Sequence, residues 1–321
     1  MSKIKILTGI KISQCPVWSS KTDFLFGNIQ RKGTISNFLH LLKASRNYDV
    51  LVTAGSRYAQ LFGLYRSLLG KKKPGHIILE LMLDEDQDDI LWKIKVFFQR
   101  LCFSSVDVVF VSARREIDVY AKRLRLPENR VRFLPFHTNI IEPSMVPGTG
   151  EYIFSAGKTG RDFATLAAAV EGLDVKVVVV SDQYHLQGIN FPPNVEVYCD
   201  IPYEQYMKLL RGSSLVVVPL KKLVKSTGQV VFLEAMALGK PVVVTETVGS
   251  EDYIEHEVTG ILVPPEEIHA LRQAVINFIE DPESYKTMAD RALYQIKERH
   301  TFEVYTRNIL NIAQEIAYSS R

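Results

Sequence analysis

The stretch KSTGQVVFLEAMALGKPVVVT, residues 225–245, places a helix, its stop signal and a buried strand in one short run. The apolar segment 230–238 is long enough for about two and a half helical turns. It ends at Gly239, the residue type that most often closes a helix. The β-branched run PVVVTE (241–246) is typical of a strand covered on both faces. A helix that leads into a buried strand is the repeating unit of a parallel α/β sheet.

The same alternation of short apolar runs and helical patterns extends over the chain. In the first half, the predicted strands are IKILTGI (4–10), YDVLVTAG (48–55), HIILELML (76–83), VDVVFVS (106–112) and VRFLPF (131–136). In the second half, they are YIFSAG (152–157), VKVVVVS (175–181), VEVYCD (195–200), SLVVVPL (214–220), PVVVTE and GILVPP (260–265). A Pro- and Gly-rich linker, residues 140–151, separates the two series. The pattern predicts an α/β protein with two Rossmann-like domains, residues 1–140 and 141–301, facing a cleft.

Length and composition exclude several classes of protein. The chain has 321 residues and 46% hydrophobic content, which is enough for a large core. Its three cysteines, Cys15, Cys102 and Cys199, are too scattered for a metal pair or a disulfide framework. The first apolar stretch is too short for a signal peptide, and no apolar run approaches the roughly 20 residues that cross a bilayer. We therefore expect a cytoplasmic protein.

Charge is distributed unevenly along the chain. Residues 1–150 contain 23 Lys and Arg against 13 Asp and Glu, a net charge of +10, whereas residues 151–321 carry −7. A basic face attracts phosphates, so an anionic membrane surface is a candidate partner, with peripheral attachment. A solvated basic surface explains the charge equally well. No nucleic-acid motif accompanies it, so we expect no nucleic-acid partner.

The stretch SAGKTGRDF (155–163) resembles a phosphate loop but lacks its first glycine, because Tyr152 stands there. No GxGxxG sequence occurs either, which argues against a dinucleotide cofactor. What remains is Gly157 after a strand, with Lys158 and Arg161 flanking a turn that opens a helix. Two cations at a helix start can bind a diphosphate. A capping turn with solvated basic ends is the alternative.

The segment STGQ (226–229) leads into the helix of the opening stretch. Gly228 has no side chain, so a phosphate can approach the backbone amides at the helix start. Glu234 follows about one turn later among apolar neighbours. A carboxylate there can accept both hydroxyls of a ribose, or it can form a polar stripe on a mostly buried helix.

Neither acidic nor histidine spacing predicts a metal site. Asp84-Glu85-Asp86 matches a DxD pattern, but acids in a row after a strand are more typical of a solvated loop or helix start. The seven histidines include no metal-binding pair, and His137 is interpreted as a loop residue. We expect no metal and no cofactor.

Together these segments resemble the C-terminal domain of a retaining GT-B glycosyltransferase of the GT4 family. The matching segments are SAGKTGRDFATLAAAV (155–170), SLVVVPL (214–220), STGQVVFLEAMALGKPVVVTE (226–246) and GSEDYIEHEVTGILVPPEE (249–267). In the first half, only the strand pattern and the region VDVVFVSARREIDVYAKRL…RVRFLPFHTN are similar. The resemblance also implies that the last helix, 302–321, crosses back onto the first domain.

The resemblance implies a role for each matching residue. Lys158 and Arg161 would act on the donor diphosphate as catalytic residues, and Glu234 would bind the nucleotide ribose. The nucleotide-sugar-binding residues it implies are Gly157, Ile201, Ser226, Thr227, Gly228, Gln229, Val230 and Glu234. In the family's Glu-x7-Glu motif, Glu234 matches the second glutamate, whereas this chain has Ser226 in place of the first, which in the family contacts the donor sugar. The family's N-terminal histidine has no clear match here; the comparable strand end offers Glu80, Asp84 or Glu85.

The function implied is transfer of a sugar from a nucleotide sugar, most simply a UDP-sugar, to a saccharide or lipid-linked acceptor. Such a reaction would belong to polysaccharide or cell-envelope glycan synthesis. Two alternatives stay open: a UDP-sugar epimerase of the same architecture, and a non-catalytic protein that binds nucleotide sugar. The second is motivated by Ser226 and by the missing histidine.

Overall fold

The computed structural model describes residues 4–10, 15–26, 33–148 and 150–319, which form two compact units. The N-terminal unit comprises residues 1–134 and 302–321, and the C-terminal unit is Pro135–Thr301. The division precedes the sequence-based boundary at residue 140. Residues after Leu134 already bond within the C-terminal unit, where the Phe136 N–H donates to the Tyr253 hydroxyl at 2.9 Å.

The N-terminal unit contains a six-stranded parallel sheet with the strand order β2-β1-β3-β4-β5-β6. Its strands are β1 (Ile6–Thr8), β2 (Thr22–Phe24), β3 (Val50–Ala54), β4 (Gly75–Leu79), β5 (Val108–Val111) and β6 (Val131–Phe133). Its helices are α1 (Pro16–Lys21), α2 (Thr34–Ala44), α3 (Arg57–Leu69), α4 (Ile90–Phe103), α5 (Arg115–Leu124) and α12 (Phe302–Ser319). Short 3-10 turns cover Ser45–Asn47 and Glu128–Arg130.

Helices cover both faces of this sheet. Helix α12 buries Ile309 in the same cluster as Ile6, Val52 and Ile77. On the other side, α3 and α4 approach closely at Gly63, where a Cβ atom would lie 2.0 Å from a backbone oxygen of α4. The apolar strands predicted from sequence are therefore buried on both faces, as a parallel sheet requires.

The C-terminal unit repeats the architecture, with the strand order β12-β11-β10-β7-β8-β9. Its strands are β7 (Tyr152–Ala156), β8 (Lys176–Ser181), β9 (Val195–Cys199), β10 (Leu215–Val218), β11 (Val242–Thr245) and β12 (Ile261–Val263). Its helices are α6 (Phe163–Val170), α7 (Gln183–Leu186), α8 (Tyr203–Gly212), α9 (Gln229–Ala237), α10 (Ile268–Glu280) and α11 (Pro282–Arg299). Two Rossmann-like units are confirmed.

Strand order locates the place where this second sheet can bind a ligand. From β7 the chain builds outward through β8 and β9, then returns to place β10 on the other side of β7. The carboxyl ends of β7 and β10 therefore flank the switch point at which doubly wound sheets open a crevice. Among the described residues, none of the helices is both long and apolar enough to cross a membrane.

Ile309→Ala tests whether α12 is part of the N-terminal core. Truncating this fully buried side chain should lower the free energy of unfolding by about 3 kcal/mol. Both tryptophans of the chain, Trp18 and Trp92, lie in the N-terminal unit, so their fluorescence in urea reports this unit. The exposed Gln314→Ala in the same helix is the control and should change stability by about 0.5 kcal/mol or less. Equal effects of the two substitutions would contradict the packing of α12.

Candidate functional site

The turn after β7 is built around Arg161. Its guanidinium Nε donates to the carbonyl of Ala156 at 2.7 Å, and Nη1 donates to that of Thr159 at 3.0 Å. Gly157 has a φ of +120°, and a Cβ atom there would lie 2.2 Å from the same guanidinium. Burial lowers the pKa of Arg161 to about 10. Arg161 thus shapes the turn from inside, and its pairing with a diphosphate stays a prediction.

Lys158 projects from the same turn toward solvent. Its Nζ lies 3.3 Å from Asp182 and 3.9 Å from Asp200, which follow β8 and β9. Hydrogen bonds from the backbone and ring of His185, together with one from Lys158, lower the pKa of Asp182 to about 2. A lysine side chain that is 60% exposed is therefore held at the carboxyl edge of three strands by anionic partners.

The loop after β10 packs directly on this turn. The Lys221 N–H donates to the Gly160 carbonyl at 2.9 Å, and the Asp162 N–H donates to the Pro219 carbonyl at 3.1 Å. A Cβ atom at Gly160 would lie 2.9 Å from the Thr227 hydroxyl. The two segments singled out in the sequence, 155–163 and 226–229, therefore meet at the switch point of the sheet.

Helix α9 begins beside this junction with a buried amide side chain. Gly228 precedes the helix with a φ of +94°, and the Gln229 side chain is buried behind it. In the part of the chain that the structure describes, Gln229 Nε2 is buried and donates to no acceptor. Val230, in contrast, is 42% exposed. Because an unpaired buried donor is costly, Gln229 marks a position where a ligand oxygen would be stabilised.

Ser226 is buried where the resemblance implies a glutamate. The backbone of Gly249, with a φ of +102°, lies so close that a Cβ atom there would stand 2.5 Å from the Ser226 Cβ. The same virtual atom would be 2.8 Å from Gln229 Nε2. A longer side chain at position 226 would have to displace the Gly249 loop or point away from it. The small side chain of Ser226, which departs from the family pattern, thus lies in a closely packed place.

Glu234 is fully buried, and three side chains donate hydrogen bonds to its carboxylate. Oε1 accepts from Asn139 Nδ2 at 2.9 Å and from the Tyr203 hydroxyl at 3.2 Å. Oε2 accepts from the Tyr206 hydroxyl at 2.7 Å. Burial raises the pKa of Glu234, and the three hydrogen bonds oppose that rise. The carboxylate is therefore satisfied inside the protein without a ligand.

Sequence reasoning missed these three donors. Asn139, Tyr203 and Tyr206 stand 95, 31 and 28 residues from Glu234. The only local signal is the spacing of the two tyrosines, which places them on one face of α8, where their rings stack 5.7 Å apart. Ile201, which the resemblance implies as a nucleotide-sugar-binding residue, is half-buried at the approach to this helix and follows Asp200, whose φ is +51°.

The acidic candidates of the N-terminal unit have separate environments. Glu80 follows β4 with a φ of +50° and accepts a hydrogen bond from the Tyr305 hydroxyl at 2.9 Å. Asp84 pairs with Lys95 at 2.6 Å, and Asp86 pairs with Arg123 at 2.9 Å. The DxD acids are thus engaged with cations. Within residues 4–10, 15–26, 33–148 and 150–319, no cluster of three His, Cys, Asp or Glu could hold a metal ion.

His137 lies in the loop after β6, as predicted, and is buried in the C-terminal unit. Its ring stacks on Phe136 with centroids 4.7 Å apart, and Nδ1 lies 3.2 Å from the Thr138 carbonyl. Burial lowers its pKa to about 4. The ring therefore stays neutral at physiological pH.

Comparison with known proteins shows which family this chain is similar to. Residues 168–294 match the family described as Glycosyl transferases group 1. A curated relative, sucrose synthase 2 of Pisum sativum, is 29% identical over 85 residues, which cover 25% of this chain and 10% of the relative. The chain thus spans about a tenth of that protein's length.

Solved structures extend the similarity to both units. Sucrose-phosphate synthase from Thermosynechococcus elongatus superposes with a TM-score of 0.68 at 19% identity, covering 94% of this chain and 84% of that one. HepE from Anabaena, solved with UDP and glucose, gives a TM-score of 0.73 at 14% identity, covering 97% of this chain and all of that one. At such identities the likeness concerns the fold.

The fold and the family match both indicate a glycosyltransferase. The two six-stranded units have the GT-B fold, and the segment 168–294 matches the family of group 1 glycosyltransferases. The resemblance predicted from the sequence is confirmed.

Tyr206→Phe tests the hydrogen bonding of Glu234. It removes the shortest bond to a buried carboxylate, so the C-terminal unit should lose about 2 kcal/mol of unfolding free energy. Tyr203→Phe removes a longer bond from an exposed tyrosine and should cost less than about 1 kcal/mol. Urea unfolding followed by circular dichroism measures both, with tryptophan fluorescence as the control for the other unit. A larger loss for Tyr203→Phe would contradict this description.

Proposed function

We propose that the protein transfers a sugar from a nucleotide sugar, in the first instance a UDP-sugar, to a saccharide or lipid-linked acceptor. The acceptor hydroxyl oxygen would replace the diphosphate oxygen on the anomeric carbon, releasing nucleoside diphosphate. One observation carries the proposal: the turn at 157–161 and the segment at 226–229 meet at the switch point of the C-terminal sheet, next to the buried Glu234.

The diphosphate has suitable donors at that junction. Gly228 gives the start of α9 no side-chain cap, so the first backbone amides of the helix are candidate donors to a phosphate, and Gln229 Nε2 adds a donor that lacks an acceptor in the described structure. Lys158 supplies an ammonium group that lies beside Asp182 and Asp200, and a diphosphate would compete with these carboxylates for that group. Charge building on the departing diphosphate would be stabilised by these groups, so the proposal requires no metal and no cofactor.

The ribose has an acceptor in Glu234. Tyr203 is exposed and makes the longest of the three hydrogen bonds to this carboxylate, so a ribose hydroxyl can replace it at the least cost. Tyr206 and Asn139 would keep the carboxylate oriented. The choice of UDP is supported by HepE, which was solved with UDP and glucose. Retention of configuration rests on the family resemblance alone.

The acceptor would bind the basic N-terminal unit. Among its acids, Glu80 is the strongest candidate for binding acceptor hydroxyls, because it stands at a strand's carboxyl end in a strained left-handed conformation. We assign the reaction to polysaccharide or cell-envelope glycan synthesis on the cytoplasmic side, with peripheral attachment to the membrane.

Two other functions give different results in one assay. A UDP-sugar epimerase would convert the donor without an acceptor, which chromatography of sugar nucleotides detects. A non-catalytic binding protein, suggested by Ser226 and its close packing against Gly249, would bind the donor and leave it unchanged. Release of UDP only in the presence of a saccharide acceptor distinguishes transfer from both.

Two substitutions separate binding from turnover. Glu234→Gln should weaken UDP-glucose binding by about tenfold to a hundredfold, since it replaces a charged acceptor for two hydroxyls. Lys158→Ala should lower UDP release by on the order of a hundredfold while changing affinity less. Titration calorimetry and a UDP-release assay measure these effects. Lys208→Ala, an exposed lysine of α8, is the control. If both site variants behaved as this control does, the site assignment would be wrong.

The affinity for UDP-glucose should depend on pH through Glu234. Burial raises its pKa, and the ribose needs the ionised form, so affinity should be complete above the raised pKa and fall as pH drops through it. UDP-glucose is the probe because the terminal phosphate of UDP itself titrates near about pH 6. Calorimetry from pH 8 to pH 5 should show this decrease in the wild type and not in Glu234→Gln. Parallel curves would exclude Glu234 as the titrating group.

A further inference from the structure

Helix α4 of the N-terminal unit presents apolar side chains to solvent. Five of its residues are between 47 and 74% exposed although they are large and apolar: Ile90, Leu91, Ile94, Phe97 and Phe98. The intervals from the first of them are one, four, seven and eight residues, which places all five on one side of a helix. The opposite side buries Trp92, Val96 and Phe103. One face of α4 thus packs on the unit, and the other forms an apolar stripe.

Lysines border the stripe. At 100° per residue, positions 93 and 95 fall on either side of the exposed apolar positions. Lys93 is exposed, and Lys95 is 47% exposed with its Nζ 2.6 Å from Asp84. Long basic side chains beside an apolar face can keep their charges at a lipid headgroup while their stems cover apolar surface.

A second basic and apolar segment lies at the end of the neighbouring helix. Helix α3 ends with Leu68 and Leu69, which are 72% and 57% exposed, and three exposed lysines follow at 71–73. The Ser67 and Ser104 hydroxyls, 2.8 Å apart, join the carboxyl-terminal ends of α3 and α4. This end of the two helices is therefore rich in positive charge.

Five acids lie at the other end of α4, at 84–86, 88 and 89, whereas Asp107, close to its carboxyl-terminal end, is paired with Arg66 at 3.2 Å. Asp89 caps the helix by accepting from the Trp92 N–H at 2.7 Å. Asp84 and Asp86 pair with Lys95 and Arg123, while Glu85 and Asp88 are exposed beside them. Positive charge at one end and negative charge at the other would orient the helix, with residues 71–73 toward an anionic surface.

We infer that α4 is an interfacial helix whose stripe docks on a lipid bilayer with anionic headgroups. The occupant follows from chemistry: an apolar stripe bordered by lysines suits the boundary between acyl chains and charged headgroups. The excess of basic residues in the first half of the chain also favours binding to an anionic surface. The inference locates the peripheral attachment proposed above, and it is independent of the donor site.

Flotation with vesicles of phosphatidylcholine and phosphatidylglycerol tests the inference on the full chain. Wild type should float with these vesicles at low salt, and less as salt rises. Phe97→Ser/Phe98→Ser should lower the vesicle-bound fraction by about tenfold or more. The control, Ile279→Ser/Tyr294→Ser, removes apolar residues of the C-terminal unit with similar exposure and should float as wild type does. Exchanging the lysines at 71–73 for serine should reduce flotation and its salt dependence.

Each other outcome would overturn the inference. Wild type that stays in solution at low salt would exclude membrane docking. Equal losses for the phenylalanine pair and its control would exclude α4 as the contact. A dimer in light scattering that Phe97→Ser/Phe98→Ser converts to a monomer, without flotation, would show that the stripe binds a second copy. UDP-glucose affinity measured on the same samples tells failure of the donor site apart from failure of docking.

Discussion

The hydrogen bonding of Glu234 is the constraint on which the C-terminal site depends. A buried carboxylate without donors would be strongly unfavourable, so the fold must bring donors to it. Asn139 and the α8 residues Tyr203 and Tyr206 come from two distant places in the sequence and meet on this one side chain. Burial raises the pKa of Glu234 because it disfavours the ionised carboxylate, whereas the three hydrogen bonds favour that form. A ligand that donates two further hydroxyl hydrogen bonds would stabilise the ionised form of this carboxylate.

Burial and partners also distinguish the two cationic residues that the sequence analysis assigned to the same diphosphate. Lys158 and Arg161 are three positions apart, yet the structure gives them different surroundings. Arg161 is buried and donates to backbone carbonyls of its own turn, whereas Lys158 stays exposed between carboxylates. Arg161 therefore maintains the turn and Lys158 is accessible to other partners, and the action of both on a diphosphate stays a prediction.

Much of the fold could be predicted from periodicity. Long β-branched runs such as the one at 241–246 are recognisable as buried strands, and Gly239, with a φ of +65°, closes α9 as its position predicts. Strand β2, Thr22–Phe24, was missed, because three residues with an exposed centre give no apolar run. Sheet order could not be predicted either, since it depends on which strands pair across long crossovers.

The site was predictable only where its chemistry is local. Glycines before helix starts and cations beside turns can be found within a few residues, which is how 155–163 and 226–229 were found. The donors to Glu234 and the packing of Gly249 on Ser226 depend on tertiary contacts, so no short pattern contains them. Among these residues, Ser226 is where this chain departs from the pattern that it resembles.

A crystal structure of the protein soaked with UDP tests the central claim most directly. The account predicts that both ribose hydroxyls lie within hydrogen-bond distance of the Glu234 carboxylate, with the Tyr203 hydroxyl moved away and the phosphates at the start of α9. UDP bound elsewhere, or a ribose that leaves Tyr203 and Glu234 in contact and makes no bond to the carboxylate, would contradict it.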